Sequence, residues 1–233
     1  MQQSFNELIA VAPLWYVAFL FSTVCHEAAH ALVARWGGDS TAYVGGQVTL
    51  DPIPHIKREP FGLVVIPIIT LISTGGMFGW GSAPYDPYWQ IRYPKRAALM
   101  ALAGPVANFS IALVAALAIR VGLGAGIFEL SGMSLAGFIS GGGNTFVDGA
   151  ASLLSIVFFL NVLLGVFNLI PIPPLDGYSV LGLFLPEDVT LKLIEVARNP
   201  GFSLLGVFVA WQVFPSLSQI VLPKAVALLL FGV

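Results

Sequence analysis

Inside one stretch of apolar sequence stand three residues that could do chemistry together, in the run His26-Glu27-Ala28-Ala29-His30. Four residues apart on a helix, the two imidazoles lie one turn apart on one face and can reach a single zinc ion, while Glu27 between them can address a water that the metal activates. Three ionisable residues in an otherwise apolar helix cost on the order of several kcal/mol in hydrocarbon unless they are used or paired. A tetrahedral zinc that keeps one position for water needs a third protein ligand. His55, in Pro52-Ile53-Pro54-His55-Ile56-Lys57-Arg58, is one candidate, in a loop expected to be mobile. Asp176 is the better one. It follows a long apolar run in Asn168-Leu169-Ile170-Pro171-Ile172-Pro173-Pro174-Leu175-Asp176-Gly177. There the prolines stop the helix and lock an extended segment, and Gly177 lets the backbone turn beside the aspartate. A carboxylate set among hydrophobic residues calls for a cation.

The elements that must carry these residues are membrane helices. Of the 233 residues 57% are hydrophobic and 9% charged, against about 25% charged in a soluble domain. The formal charge of -2 leaves no basic excess for a nucleic-acid backbone, so no nucleic-acid partner is expected. The single cysteine, Cys25, cannot form an internal disulfide. The N-terminal apolar run has no basic residue before it, which predicts a retained helix over about 8–36 and no removed signal peptide. Further spans are expected at 97–119, at 150–170 and at about 202–221, the last followed by a short apolar tail. Residues 61–79, interrupted by Pro67 and Gly75-Gly76, read as spanning or re-entrant, with the re-entrant form preferred. The alternating segment Thr41 to Leu50, with Gly45-Gly46 in its middle, predicts a small membrane-associated β-hairpin within 37–60. The Gly- and Ser-rich stretch 121–149 reads as a flexible or partly re-entrant connector. Trp36, Trp80, Trp89 and Tyr93 read as interfacial anchors.

Charge supplies an orientation. Arg35, Lys57, Arg58, Arg92, Lys95 and Arg96 all lie between the first helix and the one starting near Ala97. The positive-inside rule puts them in the cytoplasm, together with Lys192 and Arg198 after the later helix.

Three motifs in order, His26-Glu27-x-x-His30, Gly104-Pro105-x-x-Asn108 and Asn168-x-x-Pro171-x-Pro173-x-x-Asp176-Gly177, resemble those of the site-2 protease family of intramembrane zinc metalloproteases. They span residues 20–185. The resemblance implies an all-α multi-pass membrane protein with a three-helix transmembrane core. It implies one Zn2+ per chain, held by His26, His30 and Asp176 near the cytoplasmic side of a prokaryotic plasma membrane, with Glu27 as catalytic base. It also implies that strands around 41–50 pair with substrate made extended for cleavage. The stretch Thr49 to Gly62 is similar to a segment near the active site of short family members, which makes His55 a candidate cleft or regulatory residue.

Asn108 and Asn161 are candidates to hydrogen-bond the oxyanion or the substrate backbone. Asn108 is favoured because Gly104-Pro105 lets its helix approach closely and open locally, whereas Asn161 fits an interhelical hydrogen bond better. Gly104, Pro105, Asn168, Pro171, Pro173 and Gly177 are the helix-breaking support. No inserted peptide-clamping domain and no nucleotide-binding tandem domain is visible, so the whole of 1–233 reads as one membrane-embedded peptidase domain. Its expected partners are the bilayer and transmembrane-helix protein substrates, with a homo-oligomer or adaptor protein as a source of selectivity. Two other classes compete with the hydrolase: a non-catalytic membrane scaffold of the same fold, and a cation or proton transporter running through His26, Glu27, His30 and Asp176. An intact Glu27 argues against the first, and a fixed Asp176 against the second.

Overall fold

The computed structural model describes residues 2–74 and 77–231. Gly75 and Gly76, expected to interrupt the second apolar segment, lie outside the described residues. In chain order, α1 (Gln2–Trp36) is followed by the short α2 (Thr41–Val44) and α3 (Pro52–Arg58), then by a π-helical turn (Phe61–Val65) that runs into α4 (Ile66–Thr74). After α5 (Pro87–Arg92) comes the long α6 (Pro94–Gly124), and a hairpin of β1 (Glu129–Ser134) and β2 (Gly137–Ser140) leads to α7 (Thr145–Asn168). The chain ends in α8 (Asp176–Val180), a 3-10 turn (Leu181–Leu183), α9 (Glu187–Ala197) and α10 (Pro200–Leu230). Among the described residues four helices, within α1, α6, α7 and α10, are long and apolar enough to cross a bilayer, and the chain is an integral multi-pass membrane protein.

Local chemistry sets the helix ends. Gly38, at φ +98°, closes α1, with Gly38 N–H donating to Arg35 O (3.1 Å) and Asp39 N–H to Ala34 O (2.9 Å). Asp51, Asp86 and Asn199 each cap a helix that opens with proline: α3, α5 and α10. α10 continues through Pro215 and Pro223, so the expected C-terminal helix and the apolar tail are one element.

Three helices, α1, α6 and α7, form the core. Small residues let them approach: Ala18 on α1, Ala112 and Ala115 on α6, and Ala151 on α7 are all buried. Phe158 and Phe159 of α7 fill the far end with Phe138 of β2, at ring-centroid distances of 6.1 and 5.1 Å. Trp89 is buried and donates its indole N–H to Gly37 O (3.0 Å), so it clamps the end of α1 and is no interfacial anchor.

The hairpin is present but sits elsewhere than expected. Residues 41–44 are helical because Asp39 accepts from both the backbone N–H (2.9 Å) and the hydroxyl (2.5 Å) of Thr41, which locks the first turn. Gly45 takes φ -70° and only Gly46 is left-handed, whereas a two-residue hairpin turn of the common kind needs both residues left-handed. The strands lie instead in 121–149, the stretch expected to be a flexible connector. β1 and β2 pair antiparallel, Glu129 with Ser140 and Leu130 with Ile139, and buried β2 is seated on α7 while β1 is exposed. The strands expected at 41–50 to pair with substrate are absent among the described residues.

The segment from Phe61 turns back on itself. Phe61–Ser73 is an apolar helix of 13 residues, about 20 Å at 1.5 Å per residue, short of a hydrocarbon core about 30 Å thick. Its return is bonded to its start: Trp80 N–H donates to Gly62 O (3.1 Å), and Phe78 N–H to Thr70 Oγ1 (3.0 Å). Gly62 and Gly79 permit this approach, since a Cβ on either would overlap the other strand of the turn.

Candidate active site

The C-terminal half of α1 brings His26 and His30 to one face, with the rings edge to face at 4.5 Å and the Nε2 atoms 2.9 Å apart. Asp176 reaches them from a different part of the chain. α7 stops at Asn168, the segment through Pro171 and Pro173 turns away, and Asp176 opens α8. Its Oδ2 lies 3.1 Å from His26 Nε2 and its Oδ1 3.3 Å from His30 Nε2. Gly177 is required beside it, because a Cβ there would overlap the Leu169 carbonyl. Gly104 of α6 forms the opposite wall: a Cβ at that position would land on the Nε2 atoms of both histidines.

The donor set fits a cation. The Nδ1 of His30 lies 2.7 Å from the carbonyl of Met100, which can only accept. Nδ1 therefore carries the proton of the neutral ring and Nε2 presents a lone pair to the site. Asp176 Oδ2 is buried with no hydrogen-bond partner. A buried carboxylate oxygen beside two imidazole nitrogens is costly unless a positive charge joins them. Among the described residues His26, His30 and Asp176 are the cluster of this kind, their ligand atoms all within 4.8 Å of one another. It can coordinate a single zinc ion.

Glu27 is buried and packed under the returning segment, since a Cβ on Gly81 would stand 2.7 Å from its Cγ and 3.0 Å from its Oε1. That segment is pinned by Ser82, whose hydroxyl donates to Glu59 Oε1 (2.5 Å) and accepts from Arg58 Nε (3.0 Å).

Asn108 lies on α6 beside His26. It is fully buried, its Oδ1 lies 2.6 Å from His26 Nδ1 and its Nδ2 donates to Asn161 Oδ1 (2.8 Å), so both amide ends are committed to the protein. Asn161, equally buried, donates to Ser22 Oγ (2.7 Å) and Val157 O (2.8 Å), as an interhelical residue should. Pro105 leaves α6 continuous from Pro94 to Gly124, so no local opening occurs there. Asn168 bonds back to Leu164 O (3.0 Å) at the end of α7.

His55 lies in α3 and outside the metal cluster, buried, with Nε2 3.1 Å from Thr49 O. Its loop was expected to be mobile, but it is a capped helix. Sequence reading missed three contributors: the Met100 carbonyl, Ser22 and Gly81. Ser22 carried a signal, standing one helical turn before His26 on the same face, whereas a backbone carbonyl and a glycine brought in by a return turn carried none.

Comparison with known proteins agrees with this chemistry. The chain is 32% identical over 212 residues to the putative zinc metalloprotease YwhC of Bacillus subtilis, covering 87% of this chain and 86% of the relative. It is 30% identical over 206 residues to the putative zinc metalloprotease Rip2 of Mycolicibacterium smegmatis, covering 84% and 70%. With Rip2 of Mycobacterium tuberculosis it shares 29% over 193 residues, 82% and 65%. No solved structure matches it significantly. The profile of peptidase family M50 matches residues 14–210, which takes in both histidines, Glu27, the Gly104 wall and Asp176. That match spans more than half of the chain, and the chain belongs to peptidase family M50.

Proposed function

We propose that this protein is an intramembrane zinc endopeptidase that hydrolyses peptide bonds in or near the transmembrane segments of other membrane proteins. The observation that carries the reading is the convergence of His26, His30 and Asp176 next to Glu27 inside a helical membrane core.

His26 Nε2, His30 Nε2 and an oxygen of Asp176 would hold the metal. When bound, zinc supplies a Lewis acid that acidifies water and polarises the scissile carbonyl. Glu27, as general base, takes a proton on its carboxylate and returns it to the leaving amine. The turn at Gly81 covers Glu27 and limits access of bulk water to it. A substrate helix must unwind to expose a carbonyl, because its backbone groups are otherwise bonded internally. Substrates with helix-weakening residues near the cut are therefore preferred. With little chain outside the helices, selection falls to the helices themselves, to an adaptor protein or to a second copy of the chain. His55, buried and away from the cluster, fits a role in holding α3.

The active site is assigned to the cytoplasmic half of the bilayer. Eight of the ten Lys and Arg (Arg35, Lys57, Arg58, Arg92, Lys95, Arg96, Lys192, Arg198) lie on the segments that join α1 to α6 and α7 to α10, or at the helix ends facing them. Arg120 and Lys224 lie at the other end, where the Arg120 guanidinium donates to Leu229 O and Phe231 O. The positive-inside rule places the eight in the cytoplasm. His26 is ten residues from the end of α1, about 15 Å along the axis. On this arrangement the 61–86 segment is re-entrant from the cytoplasmic face.

The test joins zinc analysis of detergent-purified protein with cleavage of a panel of single-span membrane substrates. One zinc per chain in wild type and in Glu27→Gln, with cleavage by wild type alone, is the expected result. Absence of stoichiometric zinc after metal supplementation would overturn the reading.

A further inference from the structure

A buried chain of side-chain amides runs from His26 to the backbone of a second helix, and its direction can be read. Asn161 Nδ2 lies 2.8 Å from Val157 O, a carbonyl that only accepts, so the NH2 end of Asn161 must point there. The same end faces Ser22 Oγ at 2.7 Å, and the Ser22 hydroxyl spends its own proton on Ala18 O (2.6 Å), so Ser22 can only accept from Asn161. Two backbone carbonyls thus impose the same orientation. The oxygen of Asn161 then faces Asn108, which must answer with its NH2 end (2.8 Å), an end that also lies 3.5 Å from Ser22 O. What remains toward His26 is Asn108 Oδ1, at 2.6 Å from Nδ1. Nδ1 must therefore carry the proton, which leaves the Nε2 lone pair for the metal site.

We infer that Asn161 is a positioning residue that fixes the tautomer of His26 through Asn108, so that α7 sets the ligand competence of α1. The inference rests on the zinc reading above. Asn108, Asn161 and Ser22 are all fully buried, so water cannot substitute for a missing partner. Without Asn161 the Asn108 amide can rotate and donate to Nδ1, which moves the ring proton to Nε2 and removes the lone pair from the site. His30 needs no such relay, because Met100 O acts on it directly.

The test is zinc affinity by chelator competition on detergent-purified protein, which needs no substrate. Asn161→Leu, similar in volume and without polar atoms, is expected to weaken zinc binding about 10- to 100-fold, the usual effect of losing a ligand's outer partner. Adding Asn108→Asp to Asn161→Leu is expected to restore affinity to near wild type, because a carboxylate accepts from Nδ1–H whichever way it is turned. Unchanged affinity in Asn161→Leu would overturn the inference. So would loss without rescue in the double variant, since that pattern marks a packing defect. Wild-type protein that binds no zinc would instead sink the underlying reading, which keeps the two failures distinct.

Discussion

A methyl group at position 104 would stand where the imidazole nitrogens of His26 and His30 converge. Gly104→Ala is therefore expected to lose stoichiometric zinc, and overpacking should lower stability by about 1–3 kcal/mol; metal analysis beside a thermal melt in detergent checks both. The two acids of the site should separate cleanly. Glu27→Gln removes the base and leaves the ligands, so activity should fall at least about 100-fold with zinc retained, whereas Asp176→Ala should lose the metal itself. Equal zinc content in these two variants would contradict the division of roles. At this scale the sequence was legible where spacing did the work. His26, Glu27 and His30 are joined by one helical turn, and Asp176 is flanked by prolines and a glycine that announce a special backbone. Asn108 was singled out through Gly104-Pro105, but its hydrogen bonds to His26 and Asn161 were not legible, because nothing in the sequence says which way a buried amide faces.

The elements differ in how far local chemistry fixes them. Asp51-Pro52, Asp86-Pro87 and Asn199-Pro200 each mark a helix start that the structure contains. The alternation at 41–50 misled, since the Asp39 cap and a right-handed Gly45 outweigh a pattern of single residues. The hairpin at 129–140 was hidden because its buried strand is held by tertiary contacts with Ser155 and Phe159 of α7, which no local pattern announces. The returning segment at Gly81 bears directly on function. Gly81→Ala should displace the Glu27 side chain while leaving both histidines untouched, so kcat should drop with zinc content unchanged, and loss of zinc would show that the segment supports the metal cluster as well. Lys95 at the start of α6 donates to Gly182 O (2.7 Å), Leu183 O (3.2 Å) and Leu185 O (2.7 Å), tying down the chain just after α8. Lys95→Met is expected to lower the melting temperature, by about 1–3 kcal/mol of stability for charge-assisted bonds that are partly exposed.

For the whole molecule the metal is a cross-link. It would join α1 to α8, two elements about 150 residues apart in sequence that otherwise meet through α6. Chelation should therefore lower the melting temperature of the wild type, by an amount that grows with free zinc over Kd in the reference sample. The Asp176→Ala variant should show no such response. Orientation is checked with single cysteines in a Cys25→Ala background. Residues placed at 57 and 192 should react with impermeant reagent only from the cytoplasmic side, and one placed at Gly142 only from the opposite side. Labelling of 57 and 142 from the same side would refute the four-span arrangement.

By itself the sequence determined the solvent, the chemistry to look for and the long helices. Apolar runs of bilayer length demand a membrane, and a His-Glu-x-x-His turn inside one of them demands a use. Proline and glycine around Asp176 set aside a residue for a special place. Those conclusions need only composition, helical period and backbone sterics, all of which are local. The tertiary structure decided what depends on long-range approach: that Asp176 meets the histidines, that Gly104 walls them, that Gly81 comes to rest on Glu27 and that the hairpin forms at 129–140. It also decided the direction of the Asn161–Asn108–His26 relay, because the proton positions along it are set by backbone carbonyls of α1 and α7. Only packing the helices together links those carbonyls, through Ser22, Asn161 and Asn108, to one imidazole.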